Sequence, residues 1–399
     1  MKLFKYFCLL SFMASCGSEQ TPQELLSVDL RSGMDHPSML ALQDEIESVE
    51  YIPLETTADP ASLLDGVSEY AVTSNYIYVS PVKEQRIVQF DRKGQFVKTL
   101  IPFGQGPGEF SDFLMGMQAD EKNNRLYLFC SNKIMVYTLD GEFIQSLNHD
   151  YTIVYQRMVG KDRFASVAFP YVPFESGSYG LGVFSDKADT IAMKNDFSSP
   201  LVSHEKAGFT IALATAYSDM EESVLFKTGS NDTVFRVTAD DILPACVLRT
   251  GNSDKEVIRS LDATDFSSLK RKFGEDYDVF VSDVFDAPSN YYVRCGCSAG
   301  HYVASVHKKT GQVLAEKCAQ PGDIRALGDA NLLYGMLGTK SYQDFPVWGR
   351  TQGDCLVQLL TAYELHLYKE KCNITVPPEL KEVNDDSNPV FIVYKLRRV

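Results

Sequence analysis

The chain has 399 residues, 44% of them hydrophobic and 23% charged, with a formal net charge of −15. This is a globular composition with enough apolar material for a core, and the length admits one large β domain or two to three smaller ones. The negative surface repels phosphate backbones and no basic patch offsets it, which argues against nucleic-acid binding, and no uncharged apolar run of about 18 residues is present to span a membrane as a helix.

At the N-terminus, Met1–Ser15 places Lys2 and Lys5 ahead of a short apolar run and then small residues. This is the layout of a secretory signal, expected over 1–15. Met13-Ala14-Ser15-Cys16 resembles the lipobox of bacterial lipoproteins, in which the chain is cut before an acylated cysteine. Cys16 is therefore the expected lipidation site, and acyl chains worth about 0.8 kcal/mol per buried methylene would hold the protein permanently at a membrane. Residues 16–43 are expected to form a lipid-anchored tether and N-terminal segment, polar from Gly17 to Gln23.

From residue 44 onward the chain repeats. Arg86–Val97 and Lys133–Ile144 are each an alternating strand, a Lys-Gly or Asp-Gly turn, and a second alternating strand. Gly94 and Gly141 stand 47 residues apart, as do Phe90 and Tyr137. A further strand pair precedes each hairpin, such as Tyr70–Val72 and Tyr76–Val79. Four strands per repeat of about 40–50 residues is the unit of a propeller blade, which buries both faces only when blades stack in a ring. The expected fold is all-β: a six-bladed β-propeller of four-stranded antiparallel blades over 44–399, with short helical insertions. Expected blades are Glu69–Leu100, Gly116–Leu147, Asp162–Ala192, Ser223–Leu248, Ser289–Ala315, and a last one from Ala330–Leu337 with Asn388–Leu396. Glu47–Leu54 alternates as a strand and is expected to close the ring against the last blade. Asp254–Phe280 and Asp354–Lys371 have helical spacing and are expected as insertions.

Ile101–Phe110, Ile-Pro-Phe-Gly-Gln-Gly-Pro-Gly-Glu-Phe, followed by a strand, an acidic turn and Arg125–Leu128, resembles NHL-type repeats. Together with Val49–Thr57 at one end and Asn388–Lys395 at the other, it looks like the six-bladed β-propeller lipoproteins common in Bacteroidetes. That resemblance implies the fold and an envelope location, and it carries no activity over residue by residue. The glycine loop precedes a strand, without a following Lys-Ser/Thr, so it reads as a blade-to-blade crossing rather than a phosphate cradle.

Seven cysteines follow Cys16. An oxidising compartment permits bridges, and Cys295, Cys297 and Cys318 are candidates for one within a blade, with Cys355 and Cys372 as a second pair. Buried thiols are the competing reading. Cys295, Cys297, His301 and His307 supply only a C-x-C start, so no metal is expected, and no cofactor motif is present. Binding residues are expected on blade-connecting loops: Trp348 with Arg350 as a platform, Tyr155 with Arg157 at a crossing, and Tyr171 in a Pro/Gly/Ser-rich loop. The expected function is a non-catalytic binding module in a lipoprotein of the bacterial outer membrane, on its periplasmic or surface side. Its partners would be membrane lipid through the acylated N-terminus and a carbohydrate, peptide or protein ligand. The alternative is a propeller hydrolase or lyase with a metal or carboxylate site at the central channel.

Overall fold

A computed structural model describes residues 25–38, 40, 45–84, 86–106, 108–130, 133–148, 153–168, 181–194, 216–219, 223–227, 232–250, 279–297, 299–318, 350–352, 355–371 and 376–397. They form six antiparallel meanders of four strands. Two elements precede the first full blade, β1 (Ser27–Asp29) and the helix α1 (Arg31–Met34), and they are followed by β2 (Ile46–Pro53). Blade 1 is β3 (Val67–Val72), β4 (Tyr76–Pro81), β5 (Ile87–Asp91) and β6 (Phe96–Ile101). Blade 2 is β7 (Leu114–Asp120), β8 (Arg125–Cys130), β9 (Lys133–Tyr137) and β10 (Phe143–Asn148). Blade 3 is β11 (Ile153–Gly160), β12 (Arg163–Ala168), β13 (Leu181–Ser185) and β14 (Thr190–Lys194). Blade 4 is β15 (Ala216–Asp219), β16 (Val224–Lys227), β17 (Thr233–Val237) and β18 (Ile242–Arg249), and blade 5 is β19 (Phe280–Asp286), β20 (Asn290–Cys297), β21 (Gly300–His307) and β22 (Val313–Cys318). Blade 6 combines β23 (Arg350–Gln352), β24 (Cys355–Leu360) and β25 (Val390–Leu396) with β2 from the other end of the chain.

The packing proves the ring. Each of the six apolar clusters joins one pair of neighbouring blades, and together they run 1–2, 2–3, 3–4, 4–5, 5–6 and 6–1. Within β8, Leu126 and Leu128 belong to the cluster shared with blade 1, while Tyr127 and Phe129 belong to the cluster shared with blade 3. Alternate residues of a strand point to opposite faces, and here both faces are covered, which is why the strand is apolar almost throughout. The last interface closes as expected: β2 pairs antiparallel with β25, from Ile46 opposite Leu396 to Pro53 opposite Val390.

The segment ahead of β2 is more than a tether. β1 pairs in parallel with the outer strand of blade 4, Ser27 opposite Val247 and Asp29 opposite Arg249. Leu30 is fully buried in the cluster between blades 4 and 5. Ser38 N donates to Ala315 O (2.7 Å), and Leu40 N donates to the buried Glu316 carboxylate (3.0 Å). A strap thus covers the outer edges of blades 4 and 5 before its own strand completes blade 6, which protects strand edges that would otherwise be open to pairing.

One sequence expectation about the elements changes, and two others fall mostly outside the described residues. Asp354–Lys371 is not one helix. Cys355–Leu360 is strand β24, and only Ala362–Lys371, here α2, is helical. An apolar run of this length suits a strand covered on both faces as well as a helix, and the boundary is set by Thr361. Thr361 and Glu364 form a reciprocal capping box: Glu364 N donates to Thr361 Oγ1 (3.2 Å), and Thr361 N donates to Glu364 Oε2 (2.8 Å). Among the described residues the inner strands of blade 6 are β23 and β24, and Ala330–Leu337 lies outside them. The expected helix at 254–280 lies outside them as far as 278, and Phe280 opens β19.

The bridge expected among Cys295, Cys297 and Cys318 does not form. Cys318 stands opposite His301, in the cross-strand row of Gly296 rather than that of either other cysteine. Strand β21 also separates it from β20, two strand spacings or roughly 9–10 Å away, beyond disulfide reach. Cys295, Cys297 and Cys355 carry thiols, as do Cys130 and Cys246, and the Cys295 thiol lies 3.9 Å from Met34 Sδ. Cys372, the expected partner of Cys355, lies outside the described residues.

Candidate functional site

The two ends of the blades are built differently. In blade 1, Val72 pairs with Ile77 and Tyr76 with Asp91, so the turns β3–β4 and β5–β6 lie together at one end. At the other end Val67 pairs with Pro81 and Ile87 with Ile101, which brings the β4–β5 loop beside the crossing from β6 to the next blade. We call these the turn end and the crossing end.

The crossing end of blade 1 carries a cleft of about 480 Å³ lined by Lys83, Glu84, Arg86, Thr99, Pro102 and Phe103. Its walls are held from below. Asp65 accepts from Val82 N (3.1 Å) and Lys83 N (2.9 Å), which fixes the β4–β5 loop. The Arg86 guanidinium donates to Ala61 O (2.7 Å), Leu63 O (2.9 Å) and Glu84 Oε2 (2.5 Å). Asn388, ahead of β25 in blade 6, donates to Glu55 O and Ser62 O (2.7 Å each) and accepts from Leu64 N (2.9 Å). The crossing that enters blade 1 is thereby tied to the blade that closes the ring. On the other wall, Gly104 N donates to Phe110 O (3.0 Å) and Glu109 Oε2 accepts from Gly106 N (2.9 Å). This folds the glycine loop shut and presents Phe103.

With the polar groups so committed, large apolar side chains face water. Phe103 is 56% exposed, Val82 58% and Leu63 45%. Phe113, where the crossing enters blade 2, is 70% exposed, and Tyr363 on α2, in the β24–β25 connection of blade 6, is 58% exposed. All five lie at the crossing end of adjacent blades 6, 1 and 2. Among the described residues, the other exposed large apolar side chains of the six blades lie on their outermost strands, among them Val97, Phe143, Ile191, Leu243 and Leu314.

Of the residues expected from sequence to bind ligand, the described ones do not all come together. Tyr155 and Arg157 lie on β11, the inner strand of blade 3, and Arg350 opens β23, the inner strand of blade 6. In a six-membered ring these two blades stand on opposite sides. Arg157 is an interior residue, 1% exposed: it fills the space beside Gly116, stacks 6.0 Å from the centre of the Phe129 ring, and donates to Gln156 O (2.8 Å). It packs blade 3 against blade 2 rather than facing solvent. Tyr171 and Trp348 lie outside the described residues.

The channel side offers little for chemistry among the described residues. Asp283 on β19 is bound by Arg294 of the neighbouring strand, with Nε 2.7 Å from Oδ2. Gln118 on β7 spans to blade 3, accepting from Met158 N (2.8 Å). Asp286, nearly buried, joins Arg236 of blade 4 (2.6 Å) and Lys308 (2.5 Å). Gln118–Met158 and Asp286–Arg236 stitch blades together while the other two pairs lie within blade 5, and no group of three His, Cys, Asp or Glu side chains suited to a metal occurs among the described residues. A second cavity, between blades 2 and 3 beside Gln156 and Ser166, holds about 30 Å³, room for a water molecule or two.

The sequence profile of a domain of unknown function, DUF4934, matches residues 25–395. The chain belongs to this family. The match begins at the strap and ends in β25, so the docked N-terminal segment is part of the family's unit. Among solved structures, a candidate exported protein of Bacteroides fragilis superposes with a TM-score of 0.67 at 15% identity, over 94% of this chain and 99% of that one. A member of the DUF4221 family from Bacteroides vulgatus aligns over 89% of this chain and 98% of its own, with a TM-score of 0.49 at 10% identity. Likeness at this identity speaks to fold alone. No curated protein matches. No described helix is long and apolar enough to cross a membrane.

Sequence reasoning passed over the crossing-end residues because the glycine loop read as architecture, which it is. Phe103 and Phe110 flank that loop symmetrically in sequence, yet Phe110 is 1% exposed and Phe103 more than half. The available signal was the excess of aromatic residues over buried positions in that crossing, and it does not say which ring turns outward.

Proposed function

We propose that the protein is an envelope lipoprotein whose propeller serves as a non-catalytic binding module for a partner protein or peptide, engaged through the crossing end of blades 6, 1 and 2. The observation that carries this reading is the concentration of Leu63, Val82, Phe103, Phe113 and Tyr363 at one end of the blades. Exposed apolar side chains gathered beside a cleft are the mark of an interaction surface. A protein partner suits the cleft better than a carbohydrate does. The Arg86 guanidinium is already committed to three acceptors, and the large side chains that face water beside the cleft, Val82, Phe103 and Phe113, are apolar and suit a protein surface. The anchor belongs to the same proposal: Cys16, after a signal segment, is acylated and holds the domain at the outer membrane, on its periplasmic or surface side.

The test is photo-crosslinking in the native host from position 103, with position 187 on the turn end as control. A discrete adduct from 103, lost in Val82→Asp and absent from 187, supports the reading; equal labelling from both positions overturns it. Specific retention of purified protein on a glycan array would assign the cleft to a carbohydrate instead. Cys16→Ser should release the protein from the membrane fraction.

A further inference from the structure

The segment ahead of β2 shows how an outer strand of this ring takes on an extended chain. β1 adds to β18 as a fifth strand of blade 4, parallel to it, with Val247 N donating to Leu26 O (2.7 Å) and Leu30 N to Arg249 O (3.2 Å). The strand is three residues long, and Val28 within it and Leu30 beyond it are buried. Because the blades repeat, the same place can be located on blade 1. Phe90 in β5 and Phe235 in β17 each pack toward the preceding blade. Two residues before them stand Val88, opposite Thr99, and Thr233, opposite Val247. Thr99 on β6 is thus the counterpart of Val247, the residue that holds the start of β1.

Backbone direction agrees. Asp91 N donates to Gln95 O (2.9 Å), so Asp91 turns its polar backbone groups toward β6. These groups alternate sides along a strand, and β5 runs against β4 without a bulge, so Val88 turns toward β4. Thr99, opposite Val88, therefore presents its N–H and C=O outward, on the side of β6 where no strand is paired among the described residues. The cleft of about 480 Å³ opens at this same residue, with the exposed Phe103 on its far wall and the exposed Val82 beside it. The strap that covers the outer strands of blades 4 and 5 does not extend to β6.

We propose that the partner of the crossing end inserts a short extended segment beside β6 at Thr99, as β1 does on β18, with an apolar side chain set against Phe103 and Val82. Main-chain hydrogen bonds supply the affinity, and the apolar wall selects the side chain. This inference rests on the protein-partner reading above and adds the form in which the partner binds, a strand rather than a folded face.

The test uses the full chain in the native host, with the photo-crosslinker at position 103 and either Thr99→Pro or Thr99→Val in the same protein. Proline removes the outward N–H and is tolerated on an edge strand, whereas valine keeps it. The adduct is expected to survive Thr99→Val and to be lost in Thr99→Pro. Equal adduct in both overturns strand addition and leaves the crossing-end reading intact. No adduct in the parent overturns that reading and this one together. Should the proline variant fail to fold, amide exchange decides on the unsubstituted protein, comparing residues 97–101 in the free chain and in the purified adduct. Residues 247–249, already paired with β1, serve as the internal reference. Slowing of about tenfold or more at 97–101 supports the proposal, and unchanged exchange there overturns it.

Discussion

The turn end and the crossing end are made by the same strands, yet they use polar side chains for different purposes. At the turn end they reverse the chain. Asp91 Oδ1 accepts from Lys93 N and Gln95 N (2.8 and 2.9 Å), Thr138 Oγ1 accepts from Glu142 N (3.0 Å), and Ser185 Oγ accepts from Lys187 N and Asp189 N (3.1 Å each). Gly94 (φ +82°) and Gly141 (φ +92°) occupy the left-handed region in equivalent turns. Each also backs onto the outer strand of the preceding blade, where a side chain would strike Pro53 O or Leu100. At the crossing end Asp65, Arg86, Glu109 and Asn388 fasten long connections from within, and apolar side chains are left outside. The repeat therefore spends the turn end on closure and frees the crossing end for recognition.

The contrast can be broken most severely through its fasteners. Asn388→Ala strands two carbonyls and one amide at the entry to blade 1, and should cost about 3 kcal/mol in chemical unfolding. It should also loosen the cleft enough to abolish the crosslink from position 103. Gly141→Val at the turn end forces a β-branched residue into φ +92° against Leu100 and should cost about 2 kcal/mol, with the crosslink retained once the protein is folded. If both substitutions act alike on stability and on crosslinking, the two ends do not divide labour as described.

The interior shared by both ends gives a pH test. Burial pushes the Tyr78 and Tyr127 hydroxyls and the Cys130 and Cys246 thiols each up to about 12, from 10.0 and 9.0. Because these values are raised on folding, the unfolded chain gives up its protons first. Stability should be intact below about pH 9 and fall progressively toward pH 12, as read from denaturant midpoints. In the folded protein at pH 8, iodoacetamide should modify the partly exposed Cys297 and Cys355 and spare Cys130 and Cys246. The smallest effect is expected at the face itself. Phe103→Ser with Phe113→Ser should change stability by less than about 0.5 kcal/mol, as surface substitutions do, while removing partner binding. A large loss of stability would show that these rings are structural.

Much of the fold is legible because period-two alternation and glycine turns are local properties. The strands around Gly94 and Gly141, and the closure by Val49–Leu54, follow from them directly. The helix drawn through Asp354–Lys371 fails for a reason that is not local. Cys355–Leu360 is covered on both faces by its neighbours, so it shows no alternation to separate a strand from a helix. Arg157 misleads in the same way: an arginine near a crossing suggests contact with a ligand, and only the gap left by Gly116 in the neighbouring blade shows that it is packing.

By itself the sequence determined the repeat, the count of blades and the ring closure, because hydrogen-bond geometry and alternating polarity act within a few residues. Tertiary structure alone decided which thiols fall out of register, which phenylalanine of a symmetric loop turns outward, and that the N-terminal strap lies along the outer edges of blades 4 and 5. Those outcomes depend on residues hundreds of positions apart meeting at one interface, where packing and not local preference sets the lower free energy.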